Sequence, residues 1–380
     1  MLEVATTDAA MGSPPARSPA EGGTVSRRRP AFVSLIAILA ATVCWPTACD
    51  ERGRARPGAA DAESIRIALV GQTRQSPAWP VLQAAAKKFS NSSVRIDVEA
   101  MAPESASPEE QERMLRQIAN QPFQAVCVVP VDPLAMRAAV RDLVQRGKRI
   151  VTIGRDVPDS NRQAYCGPSQ FELGAAAVRA CTTALMGRSK SIILLHAGTE
   201  EGVYALRYVG FKRSLPMLRD AQLLRELDCG GNSLEAQRLV RAESHRYPRV
   251  GCWVMLDDWA LRTASENERI LPLGCGIVLC NGSPKYFARL RDGQILAMIA
   301  YDFRRAVDEA LFAAMRVGDM AGKPEDGSFD CRVEIITIRE LHAYEERWRQ
   351  WQGEFGPTTA AASSQSATSS RPEEERAERP

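Results

Sequence analysis

From Ile65 to about Ile338, short apolar runs alternate with stretches in which apolar residues recur every three to four positions. Runs of this kind, rich in Val and Ile, predict strands buried on both faces, and the intervening 3.6-residue period predicts helices that cover them. The first unit is a strand at Ile65–Val70, a turn from Gly71 to Pro77 and a helix near Trp79–Phe89. Further strands are expected at Val94–Val98, Ala125–Val129 and Arg149–Ile153, with helices at Pro108–Asn120 and Leu134–Gln145, the second stopped by Gly147. The pattern then repeats. Helices at Glu172–Leu185, Tyr204–Leu215, Ser233–His245, Trp259–Asn267, Lys285–Leu290 and Phe303–Val317 are expected between strands at Ser191–Leu195, Leu223–Leu227, Gly251–Leu256, Gly276–Leu279, Ile295–Ala300 and Arg332–Ile338. Such alternation feeds parallel sheets, and here one sheet is followed by another of the same kind.

The flanks follow different rules. Arg27, Arg28 and Arg29 precede the apolar run Ala31–Val43, which is followed by small residues and Cys49. A basic start, a short apolar stretch and small residues before a cut describe an export signal over 1–49, too short to favour a spanning helix. Thr47-Ala48-Cys49 has the ending of a bacterial lipoprotein signal, with Pro46 where such signals usually carry Leu. Lipidation of Cys49 and simple cleavage with release are both open, and either puts the remainder in the periplasm or cell envelope. Residues 50–63 are polar, Ala/Gly/Arg-rich and aperiodic, as expected of a linker, and 357–380 form a low-complexity tail expected to be disordered.

Composition narrows the function. Forty-nine basic and 46 acidic residues leave a formal charge of +3, too little for a global field that would hold nucleic acid. With only three histidines, His196, His245 and His342, hydrolase and zinc chemistry are disfavoured. No Gly-x-Ser-x-Gly, phosphate loop or paired His–carboxylate motif occurs, so no catalytic residue, metal site or cofactor is expected. Of ten cysteines, Cys127 and Cys252 lie in apolar strand-like runs, and no CxxC pair exists. Buried thiols are expected rather than a disulfide framework, with Cys275 and Cys280 the first pair to test.

Several strings in order resemble a known family. They include Ala125–Asp132 (AVCVVPVD), Gly147–Asp156 (GKRIVTIGRD), Tyr165 to Gly167 with Gly174, Arg207–Phe211 (RYVGF), Leu256-Asp257-Asp258, Asn281–Pro284 (NGSP), and Asp292-Gly293 with Ala297–Ala300. Their order and spacing from Ile65 to about Arg339 resemble type I periplasmic binding proteins of the ribose- and galactose-binding kind. The resemblance implies an α/β fold of two Rossmann-like lobes with parallel sheets joined by a three-segment hinge. One lobe would comprise 64–168 plus 302–330 and the other 169–301 plus 331–345, with crossings near Gly167–Gln170, Tyr301–Asp302 and Asp330–Arg332. A small polar ligand, a sugar or sugar derivative, would be captured between the lobes.

The ligand contacts that the resemblance implies are Gln75, Ser76, Trp79, Arg155, Asp156, Arg207, Asp257, Asn281 and Tyr301. Gly154 stands where the family has an aspartate, with Asp156 as a candidate replacement, and Asn281 is neutral where an acid is usual. The pocket should therefore be less negative than a pentose site, which admits an altered sugar or a ligand carrying carboxylate or phosphate. Trp253, Trp348 and Trp351 are expected in packing roles. Implied partners are an ABC transporter permease, or alternatively a membrane sensor kinase. The protein itself is expected to act as a monomer that meets the membrane only through its N-terminal tether. A DNA-reading regulator of the same fold would need a basic helical domain before Ile65, where this chain has an apolar leader and linker.

Overall fold

Continuous apolar strands need cover on both faces, and the chain supplies it twice. The computed structural model describes residues 64–93, 95–199, 202–265, 268–316 and 329–353. The leader with Cys49, the linker and the tail lie outside the described residues. In the first sheet, β1 (Ile65–Val70), β2 (Ile96–Met101), β3 (Ala125–Val128), β4 (Arg149–Ile153) and β5 (Ala164–Gly167) run parallel in the order β2-β1-β3-β4-β5. In the second, β6 (Ser191–His196), β7 (Gln222–Asp228), β8 (Cys252–Met255), β9 (Gly276–Leu279) and β10 (Ile295–Tyr301) repeat that order as β7-β6-β8-β9-β10. The edges are completed by β11 (Phe329–Asp330), parallel to β5, and β12 (Val333–Ile336), antiparallel to β10.

Three crossings join the sheets. β5 leads into α4 (Gln170–Ala184), β10 leads back to α8 (Phe303–Met315), and β11 passes directly to β12. The two-lobed parallel architecture and three-segment hinge expected from the sequence are thus present. Helices α1 (Trp79–Ser92), α2 (Pro108–Ala119) and α3 (Pro133–Gln145) join α8 around the first sheet, while α5 (Gly202–Ser214), α6 (Ser233–Arg246) and α7 (Phe287–Arg291) join α4 around the second. Their starts are chemically marked. Ser107 and Asp132, each before a proline, accept hydrogen bonds from first-turn amides of α2 and α3, and Asn232 and Asp302 do the same for α6 and α8.

Three elements depart from expectation. The helix expected over Trp259–Asn267 is instead a series of turns through Ala264. Trp259, Ala260 and Leu261 are all buried, and three successive side chains cannot share one face of a helix. β5 was not foreseen, because AYCG is short and flanked by polar turns. A ninth helix, α9 (Leu341–Gln352), was also missed, although Leu341, Tyr344, Trp348 and Trp351 recur at helical spacing. It docks Tyr344 and Trp348 near Phe303, the Phe303 and Trp348 rings stacking with centroids 6.1 Å apart.

The eight cysteines of the described residues are buried free thiols. Cys275 and Cys280 face different neighbours, the carbonyls of Pro248 and Leu173, while the Cys181 and Cys252 sulfurs touch at 3.8 Å. Among the described residues no helix is long and apolar enough to cross a membrane.

The closest helix packing is between α4 and α5, and glycines permit it. A Cβ on Gly174 would stand 1.9 Å from the Arg207 carbonyl oxygen, and one on Gly210 would stand 2.0 Å from that of Phe171. Both collisions are with backbone, so a methyl group can be accommodated only by moving a helix. Gly174→Ala should lower stability by roughly 1–3 kcal/mol or more in denaturant unfolding, as overpacked cores do. An unchanged midpoint would show that the helices are not held this tightly.

Candidate functional site

In sheets of this strand order the chain switches direction between β1 and β3, and again between β6 and β8. Loops leaving adjacent strand ends there diverge and open a crevice. The two crevices face each other and enclose a cavity of about 410 Å³. The first lobe contributes the turn from Gln72 to Ala78, Val129 and Val131 after β3, and Gly154 and Arg155 after β4. The second contributes Arg207 from α5, Asp257 and Asp258 after β8, and Cys280 to Ser283 after β9. Tyr301, Phe303, Tyr344 and Trp348 wall it from the hinge side and from α9.

The loops of the first lobe are tied together by one buried amide. Gln111, fully enclosed, donates to the Gly71 and Val129 carbonyls at 3.0 and 2.9 Å and accepts from the Val131 amide at 2.8 Å. It satisfies the backbone groups that strand ends leave unpaired. Gln72 adds a bond to the Pro130 carbonyl at 2.9 Å.

Asp257 is the electrostatic centre. It is 1% exposed and contacts guanidinium groups from both lobes. Arg155 Nη2 lies 3.2 Å from each of its oxygens, and Arg207 Nη1 lies 3.4 Å from Oδ2. The Asp258 amide donates to Oδ1 at 2.8 Å. Burial alone would raise the carboxyl pKa. Arg155, Arg207 and Arg262 outweigh it and hold Asp257 well below the usual carboxylate range. Arg155 feels the reciprocal effect: burial opposes its charge, yet Asp257 raises its pKa. Arg155 also donates to the Val131 carbonyl at 3.0 Å, and Arg207 donates to Gln170 Oε1 at 2.6 and 3.1 Å and to the Leu256 carbonyl.

Asp258 forms the second carboxylate cluster. Its Oδ1 accepts from Arg262 Nη2 and Nε at 2.8 and 3.1 Å, and its Oδ2 accepts from the Tyr286 hydroxyl at 2.8 Å and from Asn281 Nδ2 at 3.2 Å. Lys285 reaches the Arg262 carbonyl at 2.5 Å.

Seven of the nine residues named from the sequence line this cavity: Gln75, Ser76, Arg155, Arg207, Asp257, Asn281 and Tyr301. Two do not. Trp79 turns onto the core beside Gly71, leaving the shorter Pro77 and Ala78 at the cavity. Asp156 points away and pairs with Arg162, Nη2 to Oδ2 being 2.5 Å, with Thr152 also donating to it at 3.3 Å. It therefore supplies no substitute for the acid missing at Gly154. What fills that space is Tyr301: a Cβ on Gly154, whose φ is +72°, would stand 2.3 Å from the Tyr301 hydroxyl. Arg262, Lys285, Phe303, Tyr344 and Trp348 were not named as contacts from the sequence. The two tryptophans of α9 were expected only in packing, and the helical spacing that places Trp348 was the signal available.

A family model described as a periplasmic binding protein domain matches residues 67–324. No curated protein matches the sequence. Among solved structures, the chain is similar to a solute-binding protein of an ABC transporter from Burkholderia graminis in complex with D-arabinose, at 15% identity and TM-score 0.60, covering 75% of this chain and 99% of that one. It is also similar to a glucose-galactose binding protein from Geobacillus stearothermophilus, at 18% identity and TM-score 0.58, covering 73% and 99%. A third is a periplasmic solute-binding protein from Actinobacillus succinogenes with bound D-allose, at 15% identity and TM-score 0.59, covering 74% and 100%.

Folding lowers the Asp257 pKa from its ordinary 3.8, so its stabilising contribution is complete above that value and is lost as pH falls toward the folded value. Asp257→Asn leaves two buried arginines short of a counter-charge and should cost about 3–5 kcal/mol at neutral pH. The gap between wild type and variant should hold steady above about pH 5 and shrink below pH 3.8, as read by denaturant unfolding. A gap independent of pH would show that charge is not what Asp257 supplies.

Proposed function

The chain belongs to the periplasmic binding protein family, and from that premise we propose that it captures a sugar or sugar derivative in the inter-lobe cleft and delivers it to an ABC importer. One observation carries the reading. Forked arginines and aromatic rings converge from both lobes on one cavity of about 410 Å³, room for a monosaccharide with some water. Sugars present an apolar ring face beside ring hydroxyls, and Phe303 and Trp348 supply flat surfaces while Arg155, Asn281 and Gln75 supply polar ones. Solved proteins of similar fold carry D-arabinose and D-allose.

Binding without chemistry fits the lining. No histidine is among the residues that form the cavity, and burial pushes the Cys280 thiol up to about 12, far from a reactive thiolate. One chain supplies both walls, so a monomer suffices. The family and the export signal over 1–49 support a location beyond the cytoplasmic membrane, and the ending at Cys49 supports a tether there. Cys49→Ser should then shift the protein from the membrane fraction to the soluble one; a wild-type chain that already fractionates as soluble points to simple cleavage.

A thermal-shift screen of the purified chain against sugars, sugar acids and sugar phosphates tests capture. A ligand at one hundred times its Kd should stabilise by roughly 2.7 kcal/mol, a rise of several degrees. Gln75→Ala should weaken that shift while leaving the ligand-free melt unchanged, since the Gln75 side chain makes no hydrogen bond to the described residues. If no compound in the three classes moves the melt, capture of a sugar is refuted.

A further inference from the structure

Resting on that reading, we propose that the preferred ligand is a sugar bearing an oxyanion, a carboxylate or a phosphate, seated against Arg262 and Lys285. The charges in the cleft are unbalanced. Its lining carries four cations, Arg155, Arg207, Arg262 and Lys285, but only two carboxylates, Asp257 and Asp258. Sugar hydroxyls both donate and accept hydrogen bonds, and the bonds they donate are strongest where a carboxylate oxygen accepts them. A carboxylate offers about four lone-pair sites. Here nearly all of them are taken by the protein.

Asp257 Oδ1 meets Arg155 and the Asp258 amide, and Oδ2 meets Arg155 and Arg207. Asp258 Oδ1 meets Arg262 twice, and Oδ2 meets Tyr286 and Asn281. Three of the four oxygens therefore accept two hydrogen bonds before any ligand arrives, and the fourth, Asp257 Oδ2, accepts one from Arg155 beside the Arg207 ion pair. The Asn281 carbonyl oxygen is also engaged, by the Ser283 amide at 2.9 Å.

Donors remain. Among the described residues, Arg155 Nε, Arg262 Nη1 and the Tyr301 hydroxyl have no acceptor, and Lys285 Nζ has a single one, the Arg262 carbonyl. Burial raises the Tyr301 pKa, which keeps its proton in place as a donor. Four cations against two carboxylates leave a positive excess in the lining, which an oxyanion offsets and a neutral hydroxyl does not. Charge-assisted bonds to guanidinium and ammonium groups are about twice as strong as neutral ones. Arg262 and Lys285 both belong to the second lobe, where the Lys285 ammonium lies against the Arg262 carbonyl; Lys285 is exposed and Arg262 partly buried.

Matched pairs test the charge alone. Calorimetric titration of the full chain with D-galacturonate against D-galactose, and with D-ribose 5-phosphate against D-ribose, should show the charged member of at least one pair binding about tenfold or more tightly. The pair that responds identifies carboxylate or phosphate as the source. Lys285→Gln, at the rim where it should not disturb folding, should reduce that preference severalfold, and added salt should weaken the charged ligand's binding. Should D-galactose or D-ribose bind as well as its charged partner, the oxyanion inference is overturned while sugar capture stands. Should no member of either pair bind and the wider sugar screen also stay silent, both fall.

Discussion

One buried carboxylate holds the functional region in register. Asp257 is nearly inaccessible and sits between guanidinium groups that arrive from opposite lobes, Arg155 after β4 and Arg207 on α5. Charges removed from water are costly unless paired and hydrogen-bonded. Neither arginine can be left facing the cavity without a partner, so the carboxylate fixes where both stand. Because Arg155 belongs to one lobe and Asp257 to the other, parting the lobes must break this pair. The same contact that organises the site therefore also bridges the two lobes.

The support beneath Asp257 is steric as much as electrostatic. Arg207 reaches it from a helix that lies backbone-to-backbone on α4, an approach that only Gly174 and Gly210 allow. Gln170, in the first turn of α4, accepts two bonds from the same guanidinium. The segment that crosses from β5 into the second lobe thus also positions an arginine in the cleft. Packing at the α4–α5 contact, hinge geometry and site geometry are consequences of one arrangement.

The character of the cleft follows from how its acids are spent. Asp257 and Asp258 are consumed in orienting arginines, Tyr286 and Asn281, which leaves cationic groups in excess of free carboxylate oxygens. At Gly154 the missing side chain is replaced by the Tyr301 phenol, another donor. Aromatic rings from α9 and from the start of α8 also line the cavity. Shape and rings suit a sugar, while polarity favours one that carries negative charge.

The apolar periodicity by itself determined the strand–helix alternation, the existence of two similar sheets and most element positions, because burial on both faces demands continuous apolar strands. It also located the loops after β1, β4, β8 and β9, from which most of the cavity residues come. Two kinds of fact needed the tertiary structure. Asp156 and Trp79 sit at the right places in the chain, but side-chain direction depends on neighbours distant in sequence: Arg162 draws one away, and the core beside Gly71 takes up the other. Trp259, Ala260 and Leu261 carry helix-forming residues into turns because every side of that segment is buried. Likewise, Gly154 looks like a simple loss of charge until the fold brings Tyr301 into the vacated space. Periodicity reports which faces are buried; only the folded chain decides which charges share a carboxylate.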